Sequence, residues 1–220
     1  MSALSEASQR NSGTGPYRRI FSGSPASVVR ATVFLPSLAA NEIAYAHGSG
    51  DTAFVYSGGW GINGEAADVG FMHNTGADDW SLFIKYQTEA EFFGEPPVTR
   101  LKAGQRVSFT FSIPLDNVLR LEATGEVVTG DGIQTLKLEH LSSRGFQANG
   151  HGIILKRMTS IAQNHEHLAN GSRLNAVEWA DVQIGTSTEN LRPWTIQDPS
   201  QSMMHDSRVV RVHFLNDRNE

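Results

Sequence analysis

The sequence predicts an all-β fold, a jelly-roll β-sandwich of about eleven strands with little or no helix. Three features predict it: apolar and polar residues alternate, turn-forming dipeptides separate the alternating segments, and no segment keeps a helical period. Residues 106–113 are the clearest case, where Val, Phe, Phe and Ile alternate with Arg, Ser, Thr and Ser. Such a period of two places all the apolar side chains on one face of a half-buried strand.

The remaining strands are predicted from the same alternation or from short apolar runs. In chain order the predicted strands cover residues 28–35, 42–46, 52–56, 65–73, 80–87, 106–113, 117–123, 133–140, 152–161, 177–184 and 207–215. Turn signals such as Gly58-Gly59 lie between them, and Asp131-Gly132 predicts a hairpin turn. The number of strands exceeds that of an immunoglobulin-type sandwich, and no fixed-period repeat suggests a propeller.

The domain organisation is predicted from where this pattern starts and stops. Residues 17–215 are expected to form a single β-sandwich domain, and the 220-residue chain is long enough for a sizeable core. Residues 1–16, rich in Ser, Gly and Ala, are interpreted as a flexible leader without the apolar segment of a secretory signal, and residues 216–220 as a frayed end.

Composition and missing motifs exclude several classes of function. The net charge is −5 and no basic stripe occurs, which argues against a nucleic-acid partner. No apolar run approaches the roughly 18 residues that a membrane span needs. Cysteine is absent, so disulfides and thiolate catalysis are excluded. No serine-hydrolase elbow, P-loop or dinucleotide-binding motif is present, and the missing signatures favour a protein that is not an enzyme.

The candidate ligand-binding residues lie around a glycine-rich segment and the strand after it. Trp60 is expected to be an exposed aromatic platform, with Glu65, Asp68 and Tyr86 near it. In a regular strand Glu65 and Asp68 point to opposite faces, which argues against their being the paired carboxylates of a glycosidase. Trp80 and Trp179 are assigned to the core.

A second candidate site is the loop that begins at Asn74. Asn74, Asp78 and Asp79 supply the hard oxygen donors that calcium prefers, although their spacing matches no EF-hand loop. Calcium is therefore the one cofactor that the sequence suggests, with a solvated acidic hairpin tip as the alternative interpretation.

Two segments carry a resemblance to known proteins. Residues 65–73 followed by 80–85 resemble a strand pair of concanavalin A-like jelly rolls, and together with residues 156–163 they resemble the YrpD-like group of small secreted bacterial proteins. The resemblance implies a β-sandwich and favours secretion, and it implies no activity because that group has none firmly assigned.

These features favour a carbohydrate-binding, lectin-like module with a poly- or oligosaccharide as its partner. The first alternative is a polysaccharide lyase or hydrolase, in which His73 or Tyr86 would remove a proton. The second is a structural or assembly protein, since uncovered edge strands can pair with another copy to form an oligomer.

Overall fold

The computed structural model describes residues 15–86, 100–141, 145–163, 170–194, 202–205 and 210–214. All regular secondary structure in these residues is β, which confirms the predicted fold class. Most of the predicted leader, and all of the predicted frayed end, lie outside the described residues. The strands are β1 (Tyr17–Phe21), β2 (Val28–Leu35), β3 (Ile43–Ala44), β4 (Thr52–Trp60), β5 (Ala66–Asn74), β6 (Asp79–Tyr86), β7 (Leu101–Lys102), β8 (Gln105–Ser112), β9 (Val118–Glu126), β10 (Ile133–Leu141), β11 (Ile154–Ala162), β12 (Arg173–Gly185), β13 (Arg192–Pro193), β14 (Ser202–His205) and β15 (Val210–Phe214).

The strands form two sheets. Sheet A has the order β14-β1-β11-β4-β5-β6-β7, and sheet B has the order β10-β9-β8-β2-β12-β13, with β3 and β15 also paired to β12. Nearly all neighbours are antiparallel, and β12 with β15 is a parallel pair. The predicted Asp131-Gly132 turn joins β9 to β10, which pair in antiparallel register.

The core fills the space between the inner faces of the two sheets. Phe71 of sheet A meets Phe109 of sheet B with ring centroids 5.7 Å apart, and Phe109 meets Trp179 at 5.5 Å. Such edge-to-face contacts between large rings add to the burial of their apolar area. Trp80 and Trp179 are fully buried, as the sequence predicts.

The main difference from the prediction concerns Gly58-Gly59. The sequence predicts a turn there, but both glycines lie within β4 and pair with β5 on one side and β11 on the other. A side chain on Gly58 would lie 2.0 Å from the carbonyl oxygen of Ala67, and one on Gly59 would lie 2.3 Å from that of Ile154. The glycines are therefore needed for the close approach of the neighbouring strands. The predicted strand at residues 42–46 is reduced to the two residues of β3, and the two-residue strands β7 and β13 carry too little pattern for prediction.

Candidate functional site

The outer face of sheet A, the face turned away from sheet B, carries a regular grid of side chains. One row crosses five adjacent strands and consists of Phe21, Lys156, Gly58, Asp68 and Lys85, from β1, β11, β4, β5 and β6. Residues paired directly across antiparallel strands point to the same face. The row therefore brings two lysines and one aspartate to the same side of the sheet.

Lys156 and Asp68 form an ion pair across the strand that separates them. The Nζ atom of Lys156 lies 2.6 Å from Oδ1 of Asp68. The residue between them is Gly58, whose φ of +140° and close contact with Ala67 admit no side chain. The lysine side chain is 6% exposed and the aspartate side chain 25% exposed, so the carboxylate is the member of the pair that solvent reaches.

Aromatic rings and a second cation surround this pair. The Nζ atom of Lys156 lies 4.7 Å from the ring centroid of Trp60 and 5.5 Å from that of Tyr56. The guanidinium of Arg19 lies 5.9 Å from the Trp60 ring. These distances fall within the range of cation–π attraction. We call Arg19, Tyr56, Trp60, Asp68 and Lys156 the outer-face cluster.

Burial shapes the protonation of two members of the outer-face cluster. Burial raises the pKa of Tyr56 well above its ordinary value, and the charge of Asp68 adds to the effect, so the phenol stays neutral. Its hydroxyl donates to the sulfur of Met158 at 2.9 Å. Burial lowers the pKa of Arg19, while nearby Tyr17, Tyr56 and Asp68 oppose that shift. The cluster thus holds a neutral hydroxyl, two basic side chains and a carboxylate together.

The four predicted ligand-binding residues divide into two groups. Trp60 and Asp68 both contact Lys156, so the structure brings them together. Glu65 lies against Gly145: a Cβ atom added to Gly145 would be 2.2 Å from the Oε2 atom of Glu65. Tyr86 packs on Phe146, with 6.2 Å between ring centroids.

The expected exposure of Trp60 is wrong. The side chain is 7% exposed and packs on Phe21, with 5.5 Å between ring centroids. The reason is that the glycine-rich segment continues β4, so Trp60 is a strand residue within the sheet and its ring does not extend from a loop into solvent.

The structure does not bring the two candidate bases, His73 and Tyr86, together. His73 pairs with Trp80 at one end of β5, whereas Tyr86 pairs with Ala67 at the other end. At about 3.3 Å per residue the two positions are roughly 20 Å apart. His73 is buried between Tyr45, whose hydroxyl lies 3.0 Å from Nδ1, and Asp78, whose Oδ1 lies 3.1 Å from Nε2.

The three predicted calcium ligands are bonded to protein groups. Asp78 accepts hydrogen bonds from the Ser37 hydroxyl at 2.8 Å and from the Leu38 amide at 2.8 Å. Asp79 lies 3.0 Å from Arg100 Nε and accepts a bond from the Asn74 amide at 2.6 Å. The described part of the chain contains no group of three or more His, Cys, Asp or Glu arranged to hold a metal ion.

Sequence reasoning missed Arg19, Tyr56 and Lys156. A signal existed for the lysine, since it stands with Arg157 inside an otherwise apolar and small-residue segment that forms β11. Charged residues in the middle of a buried strand are rare unless they are paired. The same argument applies to Arg19 in β1, whose side chain is fully buried.

The comparisons with known proteins concern the fold. No family model matches the chain, and no curated protein matches it. Among solved structures, the chain is similar to scytalido-glutamic peptidase with a transition state analog inhibitor, at 13% identity, 86% coverage of both chains and a TM-score of 0.51. A second structure of that peptidase with a peptide-based analog gives a TM-score of 0.46 at 13% identity and 86% coverage of both chains. SCP-B, a member of the Eqolisin family of peptidases, gives 0.45 at 11% identity and the same coverage.

These matches correct the expected function. The sequence favours a carbohydrate-binding module that is not an enzyme, whereas the solved structure whose fold the chain shares is named a peptidase. They give no support to a sugar partner, to secretion or to an oligomer, and none is a YrpD-like protein. No helix in the described residues is long and apolar enough to cross a membrane. The β-sandwich part of the resemblance is confirmed, and the chain shares the fold of scytalido-glutamic peptidase.

Proposed function

We propose that the chain is a peptidase, with the outer-face cluster as its reaction centre. The observation that carries this proposal is the Lys156–Asp68 pair, which sets an ammonium group 2.6 Å from a carboxylate that solvent reaches. The shared fold with a solved peptidase supports the choice of reaction by analogy.

Hydrolysis of a peptide bond needs a base for the attacking water and a positive group for the oxyanion. In our proposal the Asp68 carboxylate takes a proton from the water as its oxygen bonds to the carbonyl carbon. The Lys156 ammonium stabilises the charge that develops on the carbonyl oxygen. Asp68 then gives the proton to the leaving nitrogen as the carbon–nitrogen bond breaks, which releases an acid and an amine and restores both side chains.

Tyr56 and Arg19 support this chemistry from the neighbouring row. Because its pKa is raised by burial, the Tyr56 hydroxyl keeps its proton, which it donates to the Met158 sulfur, and its ring lies 5.5 Å from the Lys156 Nζ atom. Arg19 is close enough for its charge to interact with that of Asp68.

Asp68 is chosen as the carboxylate by elimination within sheet A. The solved structure whose fold the chain shares is named a glutamic peptidase, yet none of the seven strands of sheet A contains a glutamate. The carboxylate side chains in these seven strands of the chain are those of Asp68 and Asp79. Asp79 is 1% exposed and bonded to Arg100 and Asn74, so it is shielded from water and substrate. The proposed base is therefore an aspartate.

The test is cleavage of a denatured polypeptide such as casein by the full chain, measured between pH 3 and pH 8 as new amino termini in mass spectra. The Asp68→Asn and Lys156→Met variants are expected to lower the cleavage rate by about 100-fold or more. The matched control is Glu126→Gln, which breaks the exposed Lys102–Glu126 ion pair of 3.0 Å and leaves cleavage unchanged.

Circular dichroism and thermal unfolding show whether each variant keeps its fold. A wild-type chain that cleaves nothing across this pH range overturns the proposal. Full cleavage by a folded Asp68→Asn variant overturns the role given to Asp68.

A further inference from the structure

Strand β10 forms an unusually long edge of sheet B. Among the described strands it pairs with β9 alone, over nine residues from Ile133 to Leu141. The other strands at the ends of the two strand orders are short: β7 and β13 have two residues each and β14 has four. Short edges are one way in which proteins prevent association through unpaired backbone groups, and β10 lacks that protection.

In the described part of the chain, no strand pairs with the outer edge of β10. Exposed and half-exposed residues alternate along its whole length. Ile133 and Leu141 are 71% and 73% exposed, the two most exposed large apolar side chains of the described residues. The register with β9 is regular from end to end, without a bulge, and the strand contains no proline. Bulges and prolines are two further means of blocking an edge, and charged side chains are another, which β10 carries at Lys137 and Glu139.

We propose that β10 pairs antiparallel with β10 of a second copy of this chain, about a two-fold axis at Leu138. A two-fold axis perpendicular to the sheet keeps the inner faces of both copies on the same side. Residues directly opposite each other must then share a face. The axis therefore lies between one residue and the same residue of the second copy, and not at a position between two successive residues. The charged residues of the strand decide which residue that is.

Lys137 and Glu139 favour one register and oppose its neighbours. An axis at Lys137 would place that lysine opposite its own copy, and an axis at Glu139 would place two carboxylates opposite each other. Like charges directly opposite are destabilising. An axis at Leu138 places each Lys137 opposite Glu139 of the second copy, which gives two complementary pairs. The same register sets Leu138 against Leu138 and Leu136 against His140 on the inner face.

This surface lies on sheet B and is independent of the outer-face cluster. The pairing covers residues 135–141 and extends sheet B through the dimer as one continuous sheet. The backbone groups on the outer edge of β10 gain hydrogen-bond partners in the second copy, and the exposed side chain of Leu141 gains Thr135 of the second copy as a neighbour. The occupant that best fits the edge is therefore another copy of the same chain.

Sedimentation equilibrium over a range of concentrations measures the proposed dimer. Lys137→Glu or Glu139→Lys alone places like charges opposite each other twice and should raise the dissociation constant roughly tenfold. The double variant Lys137→Glu/Glu139→Lys restores opposite charges and should restore the dimer. The control is Glu126→Lys, an equal charge reversal on β9 outside the pairing, which should leave the dissociation constant unchanged.

A disulfide tests the register directly, because the chain contains no cysteine. Leu138→Cys should give a covalent dimer on mild oxidation, since residues directly opposite have Cα atoms about 4.5–5.5 Å apart. Lys137→Cys should not give a covalent dimer, because position 137 lies opposite position 139 of the second copy and two residues away from position 137. A wild-type chain that stays monomeric at every concentration overturns the proposal, as does a dimer that neither single charge reversal weakens.

Discussion

The Nζ atom of Lys156 reaches Oδ1 of Asp68 at 2.6 Å although a whole strand separates β11 from β5. The contact depends on Gly58, which stands between them on the outer face of sheet A and carries no side chain. A backbone feature of β4 thus determines whether two charged side chains of its neighbours can meet.

Replacing Gly58 should therefore harm both the sheet and the ion pair. In Gly58→Ala the new Cβ would lie 2.0 Å from the Ala67 carbonyl oxygen, at a φ of +140° that other residues rarely adopt. We expect a loss of roughly 1–3 kcal/mol in the free energy of unfolding, measured by urea titration. Gly76→Ala is the control, because nothing lies within 4 Å of its added Cβ. Equal stability of the two variants would contradict this account of Gly58.

Asp78 should stabilise the loop before β3 through its two carboxylate oxygens. They accept hydrogen bonds from the Ser37 hydroxyl and from the Leu38 and Ala39 amides. In Asp78→Asn an amide group replaces one acceptor and faces these donors. The free energy of unfolding should fall by about 1–3 kcal/mol. Asparagine tolerates the positive φ of 49° at this position, so the change isolates the side chain.

The control for Asp78→Asn is Asp131→Asn in the exposed β9–β10 turn. It makes the same chemical change without removing any buried acceptor, and urea titration should find it close to wild type. A stable Asp78→Asn variant would mean that the loop is held by its backbone alone.

Acid should destabilise the protein through His73. Burial lowers the pKa of His73, while Asp78 opposes that shift, so the unfolded chain binds a proton more readily than the folded one. The stabilising contribution is present above the unfolded pKa of about 6.5 and is lost as the pH falls below it. Urea titrations at pH 7 and pH 5 should show a fall that is smaller in His73→Gln, which does not titrate. An equal fall in both proteins would assign the effect to other groups.

The pKa of Asp78 adds a second acid transition at lower pH. Burial raises this pKa, but hydrogen bonds from the Leu38 and Ala39 amides, from His73 and from Ser37 outweigh burial and lower it below its ordinary value of 3.8. The stability it contributes is present above the unfolded pKa and is lost as the pH falls through the lower folded value. Asp78→Asn should therefore flatten the stability curve below about pH 4, which thermal melts at pH 2 to 5 would measure.

A buried hydrogen-bond network around Asp51 should make Ser172 sensitive to change. Ser172 is fully buried, its hydroxyl donates to Asp51 Oδ2 at 2.5 Å, and it accepts a bond from the Ala46 amide at 2.8 Å. In Ser172→Ala the buried Asp51 carboxylate loses one hydrogen-bond donor, and the Ala46 backbone amide loses its acceptor. We expect a loss of about 1–3 kcal/mol, measured by urea titration against Ser108→Ala on the exposed face of β8.

Much of the fold could be predicted because the alternation of apolar and polar residues that marks a strand lies within a few consecutive residues. The alternation in residues 106–113 predicts β8 almost to its ends, and the buried positions of Trp80 and Trp179 follow from similar runs. Strand β1 could not be predicted in this way. Its sequence, Tyr-Arg-Arg-Ile-Phe, contains two adjacent arginines that interrupt the apolar pattern, yet Arg19 is fully buried beside aromatic rings of the same sheet.

The candidate site was predicted only in part, because local sequence patterns do not show which distant segments become neighbours in the sheet. Asp68 and Trp60 stand out in the sequence as a carboxylate and an aromatic residue near glycines, and both belong to the outer-face cluster. Lys156 lies 88 residues after Asp68 in the chain and no local pattern connects the two. His73 and Tyr86 were candidate bases because of their side-chain chemistry, but strand register places them at opposite ends of the paired strands β5 and β6.

The sequence by itself determined the fold class of this protein, because the period of two in its apolar residues is compatible with strands and not with helices. It also determined that Trp80 and Trp179 enter the core, whereas the burial of Trp60 and Arg19 emerged only from the structure. Only the tertiary structure decided that β11 and β5 flank β4, and that Gly58 leaves the gap through which Lys156 meets Asp68. The physical reason is that side-chain alternation acts between neighbours in the chain, whereas strand order and register depend on hydrogen bonds between segments that are distant in it.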